Sequence, residues 1–215
     1  KLSYDGQVLR IINLPKNYKD YPYILASFPN SYYEKKMWYT KQRTKNDKTP
    51  AQTAKILSDE DKDMICAKIK KNIELRKTFT SKWKSDLMNT YIDTNKQKSV
   101  NAYIKAAKAR KVVVSSGVVI VDPSSLWICD NGICYARVYV KFRAKHGNVP
   151  SPKSLCQNEV IYGSYTAIKN LSSKKTVTFA DEIGCALSYT GDKITSYGVA
   201  WDSDNIADVF GLMSK

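Results

Sequence analysis

Trp127-Ile128-Cys129-Asp130-Asn131-Gly132-Ile133-Cys134-Tyr135 carries an Asn-Gly dipeptide between two apolar runs. This is the strongest short-range hairpin signal, because a type I′ turn needs positive φ at both central residues. With Asn131 and Gly132 at the tip, Asp130 pairs with Ile133 and Cys129 falls opposite Cys134. That second pair is of the non-hydrogen-bonded kind, with Cα atoms ~4.5 Å apart, a spacing a disulfide can bridge. The segment therefore predicts a stapled hairpin and an oxidising compartment. Beyond the turn the strand alternates. Cys134, Ala136, Val138, Val140 and Phe142 point one way, toward a core. Tyr135, Arg137, Tyr139, Lys141 and Arg143 point the other, toward water or a partner, and are the predicted partner-binding residues.

Upstream, residues 112–121 are rich in β-branched side chains, with a bulge or bend expected at Ser116-Gly117. Asp122-Pro123-Ser124-Ser125 predicts a turn. Downstream, further β runs are expected over 159–168, over 175–180 continuing through 184–189, and over 194–201, with Gly191-Asp192 turning into the last. The tail 202–215 reads as a short helix or a pairing segment.

Before the strands the period is helical. Ser58 is placed as an N-cap, with Asp59, Glu60 and Asp61 meeting the helix dipole and Asp61 closing an approximate capping box. Ile65, Ile69 and Ile73, then Phe79 or Trp83, Leu87 and Tyr91, form an apolar stripe, and neither Pro nor Gly falls between Asp59 and Lys98. One long helix, or two in near succession, is predicted over roughly 59–94, with a shorter one over 100–111. Residues 1–57 read as an irregular β and aromatic segment: a strand over 7–14 ended by Pro15, then tyrosines that cover a core, then an exposed polar connection over 40–53. The expectation is an α+β protein: long amphipathic helices on a curved antiparallel sheet of four to five strands in 58–215, preceded by that irregular N-terminal segment.

The chain has 215 residues and a net charge of +15, which suits nucleic acid, an anionic membrane face or an acidic protein. Of five cysteines, Cys129 with Cys134 and Cys156 with Cys185 are the predicted disulfide partners, while Cys66 is expected to be buried as a small apolar side chain. A reduced, cytosolic protein is the alternative. Metal binding is not expected, since no Cys-x-x-Cys pair occurs and His146 is the single histidine. Neither a nucleophile elbow, a phosphate loop, a zinc-protease motif nor a dinucleotide fingerprint occurs, so no enzyme, catalytic residue or cofactor is predicted. No apolar run reaches the ~18 residues of a membrane span. The chain begins at Lys1, which leaves room for a removed signal or a membrane anchor before it.

The order of elements, helices ending in Ser99-Val100-Asn101-Ala102-Tyr103 and then strands ending in Ile194-Thr195-Ser196-Tyr197-Gly198-Val199, resembles the periplasmic domain of the inner-membrane scaffold subunit of type IV secretion and conjugation machines. That resemblance covers about residues 58–201 and implies a nuclear-transport-factor-like fold that acts by contacting other subunits. The expected function is a non-enzymatic, periplasmic or secreted protein-binding scaffold that joins a homo-oligomer or a larger assembly. A basic nucleic-acid-binding module is the alternative, and a small secreted hydrolase or toxin the third reading.

Overall fold

The computed structural model describes residues 1–36, 38–75, 83–90, 101, 113–145, 176–190 and 193–199. The expectations for His146, Cys156, the helix over 100–111, the strand over 159–168, the Gly191-Asp192 turn and the tail 202–215 lie outside these residues. Within them the chain is α+β. Five helices, α1 Asn30–Glu34, α2 Trp38–Gln42, α3 Pro50–Thr53, α4 Asp59–Leu75 and α5 Trp83–Met88, precede β1 Val113–Ile128, β2 Ile133–Lys145, β3 Thr176–Thr190 and β4 Lys193–Val199. The strands form one antiparallel sheet in the order β1-β2-β3-β4.

The central hairpin forms as expected, but its turn is one residue longer than the two-residue form. Gly132 N–H donates to Cys129 O at 2.9 Å and Cys129 N–H to Ile133 O at 3.0 Å, so the loop is Asp130-Asn131-Gly132 with Gly132 at φ +81°. This is a turn closed by a glycine bulge. The extra residue moves the register: Ile128, not Cys129, faces Cys134. A one-residue slip sends a side chain to the other face of the ribbon. Cys129 and Cys134 therefore point away from each other, and the predicted staple is absent. Cys66, Cys129, Cys134 and Cys185 all carry free thiols.

The bulge at Ser116-Gly117 is present, the register shifting between Ser115 and Gly117. The turn expected at Asp122–Ser125 is instead a larger bulge inside β1. Between the pairs Asp122↔Arg137 and Trp127↔Tyr135, residues 123–126 oppose only Ala136. Asp122 holds it: its Oδ1 accepts from Ser124 N at 2.9 Å and Ser124 Oγ at 2.6 Å, and Ser125 Oγ donates to Asp122 O at 2.6 Å. Ser125 Oγ also accepts Arg137 N–H at 2.7 Å, which re-joins the ladder to β2. Pro123 is tolerated here because a bulged residue owes the ladder no N–H.

Helix α4 starts where its cap predicts. Ser58 Oγ accepts Asp61 N–H at 3.1 Å and Asp61 Oδ2 accepts Ser58 N–H at 3.3 Å. Its stripe, Ile65, Ile69 and Ile73, is fully buried, and the helix packs on β1, β3 and β4. Within the expected span over 59–94 the described residues hold α4 and α5. Asn72 Nδ2 donates to Thr90 Oγ1 at 2.7 Å, and Thr90 Oγ1 donates to Leu87 O at 2.6 Å, tying the end of α5 to α4 inside the core.

The N-terminal segment holds bridges rather than a strand: Leu2↔Val8 and Leu9↔Leu25. Its aromatics cover a core as expected. Ile24, Leu25, Phe28, Tyr32 and Tyr33 form a buried cluster against Ile120 and Tyr139 of the sheet. Tyr33 Oη accepts Leu25 N–H at 2.9 Å, which satisfies its polar end without solvent.

Residues 40–53 correct a second expectation, because this connection is docked. Thr49 and Gln52 form a capping box with Pro50 inside the first turn of α3. Lys48 N–H donates to Ile128 O at 2.8 Å, Ile128 N–H to Thr53 Oγ1 at 3.1 Å and Asp130 N–H to Asp47 Oδ1 at 2.9 Å. The segment thus completes the hydrogen bonding of the hairpin end.

Candidate functional site

The predicted contact strand is largely covered. Tyr135 is 6% exposed and Arg137 3% exposed, and Tyr139 packs its ring 6.0 Å from Phe28. The alternation was read correctly, but the face opposite α4 meets the N-terminal segment instead of water. Two-sided burial is invisible to an alternating pattern when the outward set is Tyr and Arg, whose long side chains combine apolar bodies with polar tips. Lys141 and Arg143 are placed by backbone register alone, opposite Val118 and Ser115.

Arg137 is instead a buried clamp. One terminal nitrogen donates to Tyr32 O, the other to Lys35 O at 3.0 Å, and the guanidinium lies 5.2 Å from the Tyr32 ring centroid. It fixes α1 on the sheet. Across the ladder sits buried Asp122. Burial pushes its carboxyl up to about 6, against the pull of the Ser124 hydroxyl and N–H, Arg137 and Tyr32. Burial likewise pushes the Tyr23, Tyr32 and Tyr33 phenols upward.

Beside this clamp, between the turn Tyr18–Asp20, α1, α2 and the start of α3, opens a cleft of ≈ 360 Å³. That is within the range of small-ligand sites, ~300–1,000 Å³. Lys35, Lys36, Lys41 and Arg43 line it against two acids, Asp20 and Glu34, with Tyr21 and Tyr33 supplying aromatic surface. Inward it narrows past Tyr21 and Arg43 to a space bounded by Ser125, Trp127 and Arg137. The Arg43 guanidinium sits 5.2 Å from the Trp127 ring centroid, and Trp127 stacks on Tyr135 at 4.8 Å. Cation–π contact orients the arginine without neutralising it.

Two atoms of this lining are out of water with no hydrogen-bond partner among the described residues. Arg43 Nε is a donor and Asn17 Oδ1 an acceptor. The Asn17 amide nitrogen is engaged, donating to Tyr33 O at 3.1 Å. An unsatisfied buried polar atom costs roughly 1–3 kcal/mol, and six other buried side-chain atoms among the described residues share this state. Among the described residues, Lys36, Lys41 and Arg43 form no ion pair with a carboxylate. The cleft can accept an anionic group on its Lys and Arg side chains. Sequence reading missed it by treating 40–53 as a linker, although Thr49-Pro50-Ala51-Gln52 spells a capping box with proline at the first helical position, a signal of ordered chain.

A second cavity of ≈ 520 Å³ lies between α4 and α5, where Lys68 and Lys71 face Asp86. Among the described residues no cluster of His, Cys, Asp and Glu could hold a metal, and no helix is long and apolar enough to cross a membrane. Comparison with protein-family models, curated proteins and solved structures finds no match to this chain. Among the described residues the chain is thus an α+β fold carrying a basic, aromatic-walled cleft.

Proposed function

We propose that this chain is a non-enzymatic protein-binding domain that takes an acidic segment of a partner subunit into the cleft around Arg43. The observation that carries it is the excess of cations on the lining, Lys35, Lys36, Lys41 and Arg43 against Asp20 and Glu34. The net charge of +15 adds long-range attraction to such a partner. The scaffold role in a larger, exported assembly is supported by the order of elements that resembles the periplasmic type IV secretion domain. α4 reaching both edge strands, β1 and β4, supports a sheet that curves around the helix as in that fold. The periplasmic or secreted location rests on the resemblance, now that Cys129 and Cys134 are known to point apart.

The test is fluorescence anisotropy of a labelled oligoglutamate peptide and of a labelled oligothymidine of equal charge, each titrated with the protein at physiological salt. Tighter peptide binding, weakened at least about tenfold by Arg43→Ala, a loss of ~1.4 kcal/mol, supports the reading. Tighter oligonucleotide binding transfers the cleft to a nucleic-acid-binding module. Binding that ignores Arg43→Ala reduces the effect to diffuse charge and overturns it.

A further inference from the structure

The register shift that separates Cys129 from Cys134 brings a different pair together. Cys134 on β2 and Cys185 on β3 are opposed Cα partners, and both are wholly buried. Directly opposed residues in an antiparallel ladder share a face, so the two thiols lie side by side under α4. The hydrogen-bonding phase follows from the hairpin. Cys129 and Ile133 form the hydrogen-bonded pair next to the loop, so Ile128 and Cys134 are non-hydrogen-bonded, and Cys134 turns its own N–H and C=O toward β3. Cys134 and Cys185 are then a hydrogen-bonded pair, with Cα atoms ~5.5 Å apart, inside the Cα range of a disulfide, and their Cβ atoms, at the wide end of the ~4.5–5.5 Å of opposed pairs, draw together to ~3.5–4.5 Å when the bond closes.

We infer that Cys134 and Cys185 form a disulfide, joined when the protein folds in the presence of a thiol–disulfide oxidant. The chemistry balances with a small-molecule disulfide such as oxidised glutathione. The Cys134 thiolate attacks one of its sulfurs, forming a mixed disulfide and releasing one glutathione thiolate. The Cys185 thiolate then attacks the Cys134 sulfur, closes the protein S–S bond and releases the second glutathione. Two protons leave the protein, its two thiols are oxidised and the glutathione disulfide is reduced.

Timing follows from burial. In the folded chain desolvation pushes Cys134 well up and Cys185 up to about 12, so little of either is thiolate at neutral pH. The bond forms as β2 and β3 come together, and once formed it is shielded from reductants. Cys66 of α4 is the third thiol of this neighbourhood and also stands raised by burial. It comes from the helix layer and has no ladder position opposite either cysteine.

The test is refolding of the reduced, denatured chain in a glutathione redox buffer, followed by thiol alkylation, intact mass and peptide mapping. The expected product takes up two alkyl groups fewer than the fully reduced chain, contains a linked pair of peptides bearing Cys134 and Cys185, keeps that link in Cys156→Ser, and unfolds at higher urea than the reduced form. All thiols free after such refolding, or a link through Cys66, Cys129 or Cys156 in place of this one, overturns the assignment. Because the wild-type chain is mapped directly, the outcome does not depend on whether Cys134→Ser folds.

Discussion

Asp122 on β1 and Arg137 on β2 are opposed Cα partners, both removed from water, and the guanidinium between them and α1 donates to the carbonyls of Tyr32 and Lys35. This one relationship joins the bulge in β1, the middle of β2 and the N-terminal cover. It determines how the protein responds to pH.

The Asp122 carboxyl stands at about 6 in the fold against 3.8 for the free group. Between these values the folded state holds a proton that the unfolded chain has released, so the contribution of Asp122 to stability is full below pH ~4 and is lost as pH rises through about 6. The Tyr phenols and the Cys66 thiol facing Asp122 are pushed upward and stay neutral throughout, and Arg137 stays charged. Urea unfolding of wild type and Asp122→Asn between pH 3.5 and 7.5 should show the wild-type advantage shrinking by roughly 2–3 kcal/mol as pH rises. A difference that is flat, or that grows with pH, refutes this sign.

Arg137→Met keeps the volume of the side chain but strands the carbonyls of Tyr32 and Lys35. Leaving a buried acceptor unsatisfied costs about 1–3 kcal/mol. Chemical denaturation should register a loss of that order, far beyond what an exposed strand arginine would give, and near-neutral behaviour would return Arg137 to the surface.

Gly132 holds φ +81°, and a Cβ there would meet nothing within 4 Å. The cost of Gly132→Ala is therefore one of backbone conformation alone, about 1–2 kcal/mol. Gly132→Asn, which tolerates the left-handed region, should recover part of it in the same unfolding assay.

Thr90→Val removes the acceptor of buried Asn72 at constant shape. A loss of about 1–3 kcal/mol is expected. A double-mutant cycle with Asn72→Leu should yield less than the sum of the single losses, and strict additivity would show that the two groups do not interact.

Much of the fold was legible in local patterns. The Ser58 cap, the Ile65/Ile69/Ile73 stripe, the bulge at Ser116-Gly117 and the alternation of β2 are short-range features, and each appears where the residues indicate. The candidate site was not legible. Arg43 and Asn17 stand 26 positions apart in the sequence, and neither belongs to a periodic element whose pattern would reveal a shared wall. Tyr135 and Arg137 were read onto the correct face and assigned the wrong surroundings.

Alternation, capping and turn chemistry act between residues a few positions apart, so the amino-acid sequence by itself determined the elements, their inward faces and the position of the central hairpin. Which surface covers the second face of the sheet, and which cysteine stands beside Cys134, depended on contacts made at long sequence separation. One extra loop residue at Gly132 and the docking of residues 40–53 are decided by packing and hydrogen-bond satisfaction across the whole chain, and those terms exist only once the chain has folded.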